Sequence, residues 1–244
     1  MISEATLQGH WQRNWLRAPG FEDSTTRVHW VQAGQWCADI RVPLVRPSLD
    51  AGALAAMAPA ELAVLLSAEG FAGRTTLEGN ICTWHRDWNW RGFPCPVDAG
   101  TLWFDPAGRL IEDGVHADYR EEWQAVPGGR WTALAVQGAG AEGSLIANDT
   151  QFLLGLGQRN ASALSGLAAA LLDGAVPVAA AEAAFSSAYV MGHWQGSTGV
   201  ADLSTQPFCE GQAVLQRDHA MARLTLPDFH GRVQEHILHL TPIS

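Results

Sequence analysis

The sequence predicts a mainly β protein. We expect one up-and-down antiparallel barrel of about ten strands with two helical insertions, formed by residues 1–244 as a single domain. Short segments with apolar and polar residues in alternation recur along the chain, and turn signals separate them at the spacing of a meander. Only two segments change to a helical period. Such a run of strands closes naturally into a barrel wide enough to hold a ligand, and limited proteolysis should not release a stable half of it.

The first predicted strands are short, and turn residues bound them. A strand over 9–16 is followed by stronger ones over 25–32 and 35–43. Ala33-Gly34 allows a tight reversal between the last two, and Pro43 ends the second. On the strand over 25–32, Arg27 and His29 share one face, because side chains alternate along a strand.

Two segments have the periodicity of an amphipathic helix. Between 58 and 70, Leu62, Leu65 and Leu66 recur at helical spacing, and Pro59 suits the first turn. Between 160 and 172, leucines again form one stripe. We expect the first helix to cover an open end of the barrel. The remaining strands and hairpins are predicted at 75–81, 84–90, 100–113, 119–126, 131–136, 144–156, 185–195, 213–215, 222–226 and 234–240.

Composition excludes several classes of function. The fifteen basic residues are all arginine, which excludes a Schiff-base lysine and a P-loop lysine. A net charge of −10 argues against nucleic acid as a partner. No apolar run has membrane-spanning length, and the first residues do not resemble a signal peptide, so we expect a cytoplasmic protein. The four cysteines form no CxxC pair, so reduced thiols are expected.

The densest group of ionisable and aromatic residues lies between 82 and 124. Here Thr83, His85, Asp87 and Asn89 share one strand face, and His85 lies about 7 Å from Asp87 by strand rise. We predict that this face points into the barrel and that the tryptophans of the opposite face pack outside under helices and loops. An uncovered outward row of tryptophans would be a costly exposed apolar patch, and the two predicted helices can cover it. The opposite face carries Trp84, Arg86, Trp88 and Trp90. The candidate ligand-binding residues are Arg27, His29, Thr83, His85, Asp87, Asn89, Tyr119, Glu121 and His193.

No metal or cofactor is expected. The sequence lacks HExxH and HxH spacings, a GxSxG motif and a glycine-rich phosphate loop. Haem stays open as an alternative, because His236 or His239 near the C-terminus could supply an axial ligand.

Several segments resemble a known family. They are Trp30 through Pro43, the region around Trp84, the segment 119–124, and 190–196, and together they cover about a third of the chain. In these segments the chain resembles a group of uncharacterised bacterial proteins and is more distantly similar to the fungal HRI family (not the kinase of that abbreviation). The resemblance implies a lipocalin-like (calycin) β-barrel of unassigned function and carries over no catalytic residue. Gly9-His10-Trp11 matches the Gly-x-Trp that calycins often hold on the first strand, and Gly-His-Trp-Gln recurs at 192–195.

Three functions follow as hypotheses. The first is a binding protein for a small, partly apolar or aromatic molecule in the barrel cavity. The second is a cofactor-free isomerase, hydratase or lyase that uses a cup lined by histidine, aspartate and arginine. The third is a scaffold or interaction protein, and a homo-oligomer is compatible with any of them.

Overall fold

A computed structural model describes residues 2–138 and 140–243, and over these residues the chain forms two closed antiparallel barrels in sequence. The mainly β prediction is confirmed, and the prediction of a single barrel of about ten strands is wrong. The first barrel closes when β9 pairs with β1, from His10 opposite Val126 to Arg17 opposite Arg120. An exposed link over 127–130 then leads into the second barrel. Alternation locates strands, but it does not show where a sheet meets its own edge, because closure depends on tilt and stagger.

The first barrel follows a simple meander. Its neighbours in space are neighbours in sequence, except that β2 is a short extension paired only to the end of β1. Its strands are β1 (Gly9–Ala18), β2 (Phe21–Asp23), β3 (Thr26–Ala33), β4 (Trp36–Pro43), β5 (Glu69–Glu78), β6 (Ile81–Asn89), β7 (Asp98–Phe104), β8 (Leu110–Gly114) and β9 (Arg120–Val126).

The second barrel repeats the meander and closes by pairing its first strand with its last. Its strands are β10 (Thr132–Gly138), β11 (Ala141–Ala147), β12 (Gln151–Gly157), β13 (Ala188–Gln195), β14 (Thr198–Ser204), β15 (Ala213–Asp218), β16 (Met221–Pro227) and β17 (Val233–Ile243). The last part of the long connection between β12 and β13, which includes Glu182 and Phe185, lies at one end of this barrel.

Both predicted helices exist, in shorter form. They are α2 (Pro59–Leu65) and α3 (Leu167–Leu172), and α1 (Glu4–Leu7) precedes β1. Helix α2 stops early because the chain enters β5 at Glu69. The predicted apolar face is confirmed, since Leu62 and Leu65 are buried. The two helices contact each other and join the core between the barrels.

The two barrels share a continuous apolar core. Outward-facing residues of β3 and β4, such as Val31 and Ile40, pack in the same cluster as Ile146, Leu153 and Tyr189 of the second barrel. A strand buried on both faces is apolar at successive positions, and β12 shows this with residues 152–157 all buried. The outer surface of each barrel is therefore partly core, which holds the barrels together.

None of the helices over residues 2–138 and 140–243 combines the length and apolar character that crossing a membrane requires.

Candidate ligand site at the mouth of the second barrel

Side chains fill the interior of the first barrel. Trp11, Trp30, Trp84 and Trp123 form its centre, with the Trp30 ring edge-on to Trp84 at 5.5 Å and to Trp123 at 6.0 Å between centroids. The space among these rings and the neighbouring charged groups is about 10 Å³, the volume of one water molecule. An eight-stranded barrel is just wide enough for side chains to fill, so this one is a core.

Charged groups are built into that core. Arg13 Nη1 donates to Glu121 Oε1 at 2.7 Å, and Arg41 Nε donates to Asp39 Oδ1 at 2.8 Å. Burial raises the pKa of Glu121, although the charges of Arg41 and Arg13 oppose the rise. These two ion pairs balance the charges of Glu121 and Asp39, as buried charges require.

The second barrel has an open mouth with a cavity of about 320 Å³. Its floor is apolar and comes from the inward faces of three strands, while Phe185 and Phe229 cover it from the loops. Small-molecule sites have volumes from about 300 Å³ upward and apolar walls with a few polar groups, so the cavity has the form of such a site. The floor consists of Leu156 of β12, Ala188 of β13, and Leu224 and Leu226 of β16.

Strand alternation also brings two polar side chains into this mouth. On β16, Leu224 and Leu226 are buried, and they lie opposite His236 and Gln234 of β17. Directly paired residues of antiparallel strands point to the same face of the sheet. Both polar side chains line the cavity, where the imidazole of His236 offers either a donor or an acceptor according to its tautomer.

Gln206 supplies a third polar group and is almost wholly buried. Its Nε2 donates to the carbonyl oxygens of Phe185 at 2.6 Å and Ser187 at 3.4 Å. Both partners are acceptors, so they determine which end of the amide is the nitrogen. Gln206 Oε1 is buried and has no hydrogen-bond partner among the described residues.

Over the first half of β6, the side chains point in the opposite directions to those predicted. Trp84 is buried in the barrel core, and Arg86 stacks over the Phe71 ring inside at 4.3 Å. His85 is exposed on the outside, where its Nε2 lies 2.9 Å from Thr76 Oγ1, and Thr83 shares that outer face. The prediction that the face of Thr83 and His85 points inward is wrong, because four tryptophans occupy the interior.

A bulge then reverses the alternation in β6. Between Arg86 and Trp88 the pairing with β5 shifts by one residue, which leaves Asp87 unpaired at the irregularity. Asp87 is half-buried and accepts from Arg74 Nε at 3.3 Å. Asn89 beyond the bulge is buried opposite Phe71, and its Nδ2 donates to Gly92 O at 2.8 Å. Only Asn89 of the predicted polar face is therefore buried.

Arg27 and His29 lie on the outside of the first barrel, near the second. His29 Nδ1 is 2.9 Å from Nε2 of His10, a buried residue that the sequence analysis did not select. Burial lowers the pKa of His10 to about 4, helped by His29, while the Gln151 side chain opposes the shift. Burial and then the charge of Arg27 lower the pKa of His29 to about 4. At neutral pH the pair is therefore an uncharged hydrogen-bonded contact.

The last three candidates lie in two further places. Tyr119 Oη donates to Glu112 Oε1 at 2.8 Å, so Tyr119 and Glu121 belong to the network of the first barrel. His193 lies on the outside of the second barrel, with Nδ1 2.9 Å from Asp202 Oδ1. The nine predicted residues do not form one cup, and the mouth of the second barrel is lined by other residues.

Only some of the residues that line this cavity could be predicted from the sequence. The segment 234–240 places Gln234, His236, Leu238 and Leu240 on one face in strict alternation, and the leucines indicate that this face is inside. His239, the other haem-ligand candidate, falls on the exposed face. Gln206 carried no sequence signal, because it lies in a loop. Over residues 2–138 and 140–243, no group of three or more histidine, cysteine or acidic side chains is placed to hold a metal ion.

The fold and this mouth define a class of protein: two tandem antiparallel barrels with packed interiors, the second of which has a cavity at one end. No family model and no curated protein matches the chain. Among solved structures, it is similar to the uncharacterized protein YLR301w from Saccharomyces cerevisiae, with a TM-score of 0.57 and 13% sequence identity. The match covers 98% of this chain and 100% of the yeast chain. At this identity the likeness shows a shared fold, and the link to a fungal family stays a prediction.

Proposed function

We propose that the chain is a binding protein for a small, partly apolar molecule held in the mouth of the second barrel. The observation that carries the proposal is the 320 Å³ cavity, with its floor of leucine and alanine and its few polar groups at the wall. This use of a barrel end is lipocalin-like, and it applies to one barrel of the two. The proposal assigns no ligand to the first barrel, whose interior holds a space of only about 10 Å³.

The energetic basis is burial of apolar surface. A ligand ring placed against Leu156, Leu224 and Phe229 would remove apolar area from water on both sides, at about 25 cal/mol per Å² before the costs of association. Because the cavity has a volume of only about 320 Å³, we expect a small ligand with a dissociation constant in the micromolar to millimolar range. The proposal thus concerns a small ligand at substantial concentration.

Blocking the cavity tests the proposal. Ala141 lines the rim and packs against the apolar interior, so Ala141→Leu would extend a branched side chain into the space. Isothermal titration calorimetry with 2-phenylethanol should show that this variant binds at least about tenfold more weakly than the parent chain, a loss of about 1.4 kcal/mol. The matched control is Ala213→Leu, the same change at an exposed position of the same barrel.

Both variants should keep the parent's thermal unfolding profile, which separates blocking from misfolding. Equal affinity in all three proteins would place binding elsewhere, and no measurable binding to the parent would refute the cavity as a site for this kind of molecule. The enzymatic hypothesis gains no support from the geometry, because Arg27 and His85 lie on the outside of strands separated by β4 and β5.

A further inference from the structure

We infer that the outer wall of the first barrel binds a neutral oligosaccharide, in an open groove of about 810 Å³ that is lined by two tryptophans. This groove is separate from the proposed ligand site on the second barrel, so the two sites can be tested independently. Three features of the groove point to a sugar chain: the placement of the two indoles, the pairing of the charged groups beside them, and acceptors that are already fixed in position.

Strand pairing brings the two tryptophans into one row on the outer face of the barrel. The row crosses β1, β9, β8 and β7 and consists of Trp15, Glu122, Ile111 and Trp103, each directly opposite the next. Directly paired residues of antiparallel strands point to the same face of the sheet. Three strand steps separate the indoles, or about 14 Å along the sheet at about 4.8 Å a step. One sugar ring cannot touch both indoles, so the row suits a chain of several rings.

A β-bulge turns Trp15 outward. The pairing of β1 with β9 shifts between Arg13, which lies in the barrel core, and Trp15, so that Asn14 is the extra residue. Without this bulge, strand alternation would place Trp15 on the inner face with Trp11 and Arg13. Bulges often re-aim a side chain beside a functional site. Of the eleven tryptophans, Trp15 and Trp103 are two of the four that are half-exposed.

The two arginines of the groove are already paired with carboxylates. Arg120 donates to Asp113 through Nε at 2.7 Å and Nη2 at 2.9 Å, and its guanidinium lies over the Trp103 ring. Arg17 donates to Glu22 at 3.0 Å and lies over the other indole, with Cζ 4.2 Å from the ring centroid. Because both guanidiniums have partners, they offer little to a phosphate or carboxylate. The groove therefore does not favour an anionic ligand such as a nucleic acid.

Further acceptors in the groove wall belong to aspartates. Asp105 Oδ1 accepts from the backbone N–H groups of Ala107 at 2.9 Å and Arg109 at 2.8 Å, so this carboxylate is fixed before any ligand binds. Asp118 adds an exposed carboxylate. Groups that are held in place lower the entropic cost of binding. A hydroxyl both donates and accepts, so a neutral polyhydroxylated chain can use aspartates and arginines together.

The apolar part of the groove completes the match to a sugar chain. Ile111 is buried between the two tryptophans in the row and lines the groove floor. The C–H face of a sugar ring is apolar and packs on an indole, which presents a large flat apolar surface. The hydroxyls at the edge of the ring then face the charged groups of the wall.

Nitrogen–proton correlation spectra of the full chain test the inference, because each indole N–H gives its own signal. The probes are cellohexaose and maltohexaose, which are neutral chains of glucose. At least one of them should shift the signals of Trp15 and Trp103 saturably and leave those of Trp30 and Trp123 in the barrel core unmoved. Glucose should bind at least about tenfold more weakly, because one ring reaches only one indole. Added salt should not change the affinity, because the ligand carries no charge.

Single substitutions locate the site. Trp15→Leu and Trp103→Leu each remove one flat face and keep an apolar side chain, so each should weaken binding of the hexasaccharide at least about tenfold. Trp36→Leu, the same change at a half-exposed tryptophan outside the groove, is the matched control and should leave the affinity unchanged. The spectra of the parent chain decide the question even where a tryptophan variant fails to fold.

Three results would overturn the inference. The first is that no sugar shifts either groove indole saturably at millimolar concentration, and the second is that Trp36→Leu weakens binding as much as the groove variants do. The third is a saturable shift of the groove indoles by decaproline and not by the sugars, which would identify a site for a proline-rich peptide. None of these results bears on the mouth of the second barrel, which is tested with a different probe.

Discussion

Glu112 is a carboxyl whose protonation the first barrel controls. Its carboxyl is buried in the first barrel, where it accepts from Tyr119 Oη at 2.8 Å and from Trp123 Nε1 at 3.1 Å. Burial raises the pKa of Glu112, and the charges of Glu121 and Asp98 raise it further. Two neutral donors hold the carboxyl in place, but they do not provide a counter-charge.

This arrangement predicts a pH-dependent stability. A carboxyl whose pKa is higher in the folded state binds more protons folded than unfolded, so its contribution falls as the pH rises from about 4.5 through the raised pKa. Glu112→Gln keeps an acceptor for Tyr119 or Trp123 and carries no charge. Its free energy of unfolding in urea, relative to the parent, should therefore increase between pH 5 and pH 8. A relative stability that is flat or falls over this range would contradict the assignment, and exposed Glu235→Gln serves as the control.

For single residues, the sequence predicts which side chains share a strand face, but it does not predict which face is inside. The prediction that Trp84 and His85 lie on opposite faces is confirmed, and the prediction that the face of His85 is the inner one is wrong. The prediction that the tryptophan row lies outside under helices is wrong for Trp84, because Trp84 packs edge-on against Trp30 within the barrel. The bulge at Asp87 also breaks the period, and it reflects pairing with Gly73, where a Cβ would lie 1.9 Å from His85 O. Such a contact between strands leaves no trace in one strand's pattern.

At the scale of elements, the outer faces of strands form the junction between the barrels. Gly70 of β5 lies directly against the Tyr189 ring of β13, and Gly155 of β12 lies against Ala72. Tyr189 is fully buried there. The strands predicted from alternation were largely found, but the consecutive buried residues of β12 could not be assigned to two different cores from the sequence.

Gly70→Ala tests this packing. The added Cβ would lie 2.3 Å from Tyr189 Cγ, so the ring or the strand must move. Overpacking of this kind costs about 1–3 kcal/mol in the free energy of unfolding, measured by urea denaturation. Gly129→Ala in the exposed link, where an added Cβ has no neighbour within 4 Å, should change stability by less than about 0.5 kcal/mol. Equal effects of the two substitutions would show that the barrels are not in close contact at Gly70.

At the scale of the whole molecule, the sequence predicted the β class and missed the division into two barrels. Gly-His-Trp-Gln occurs once in each barrel, with Trp11 and Trp194 both packing with barrel interiors. The two copies do not occupy equivalent strands, since one is on the first strand of its barrel and the other on the fourth. No repeat therefore marked the division. The pairings of β1 with β9 and of β10 with β17, each over about a hundred residues or more, reveal the division.

The first barrel is an internal control for the proposal that the second barrel binds the ligand, because leucine methyl groups lie in the cores of both barrels. Carbon–proton correlation spectra of the methyl-labelled chain, titrated with 2-phenylethanol, would report on each barrel separately. Binding at the mouth predicts saturable shifts for Leu156, Leu224 and Leu226, with Leu102 and Leu110 of the first barrel unmoved. Shifts confined to the first barrel, or no saturable shift at millimolar probe, would contradict the claim that the second barrel is the binding site.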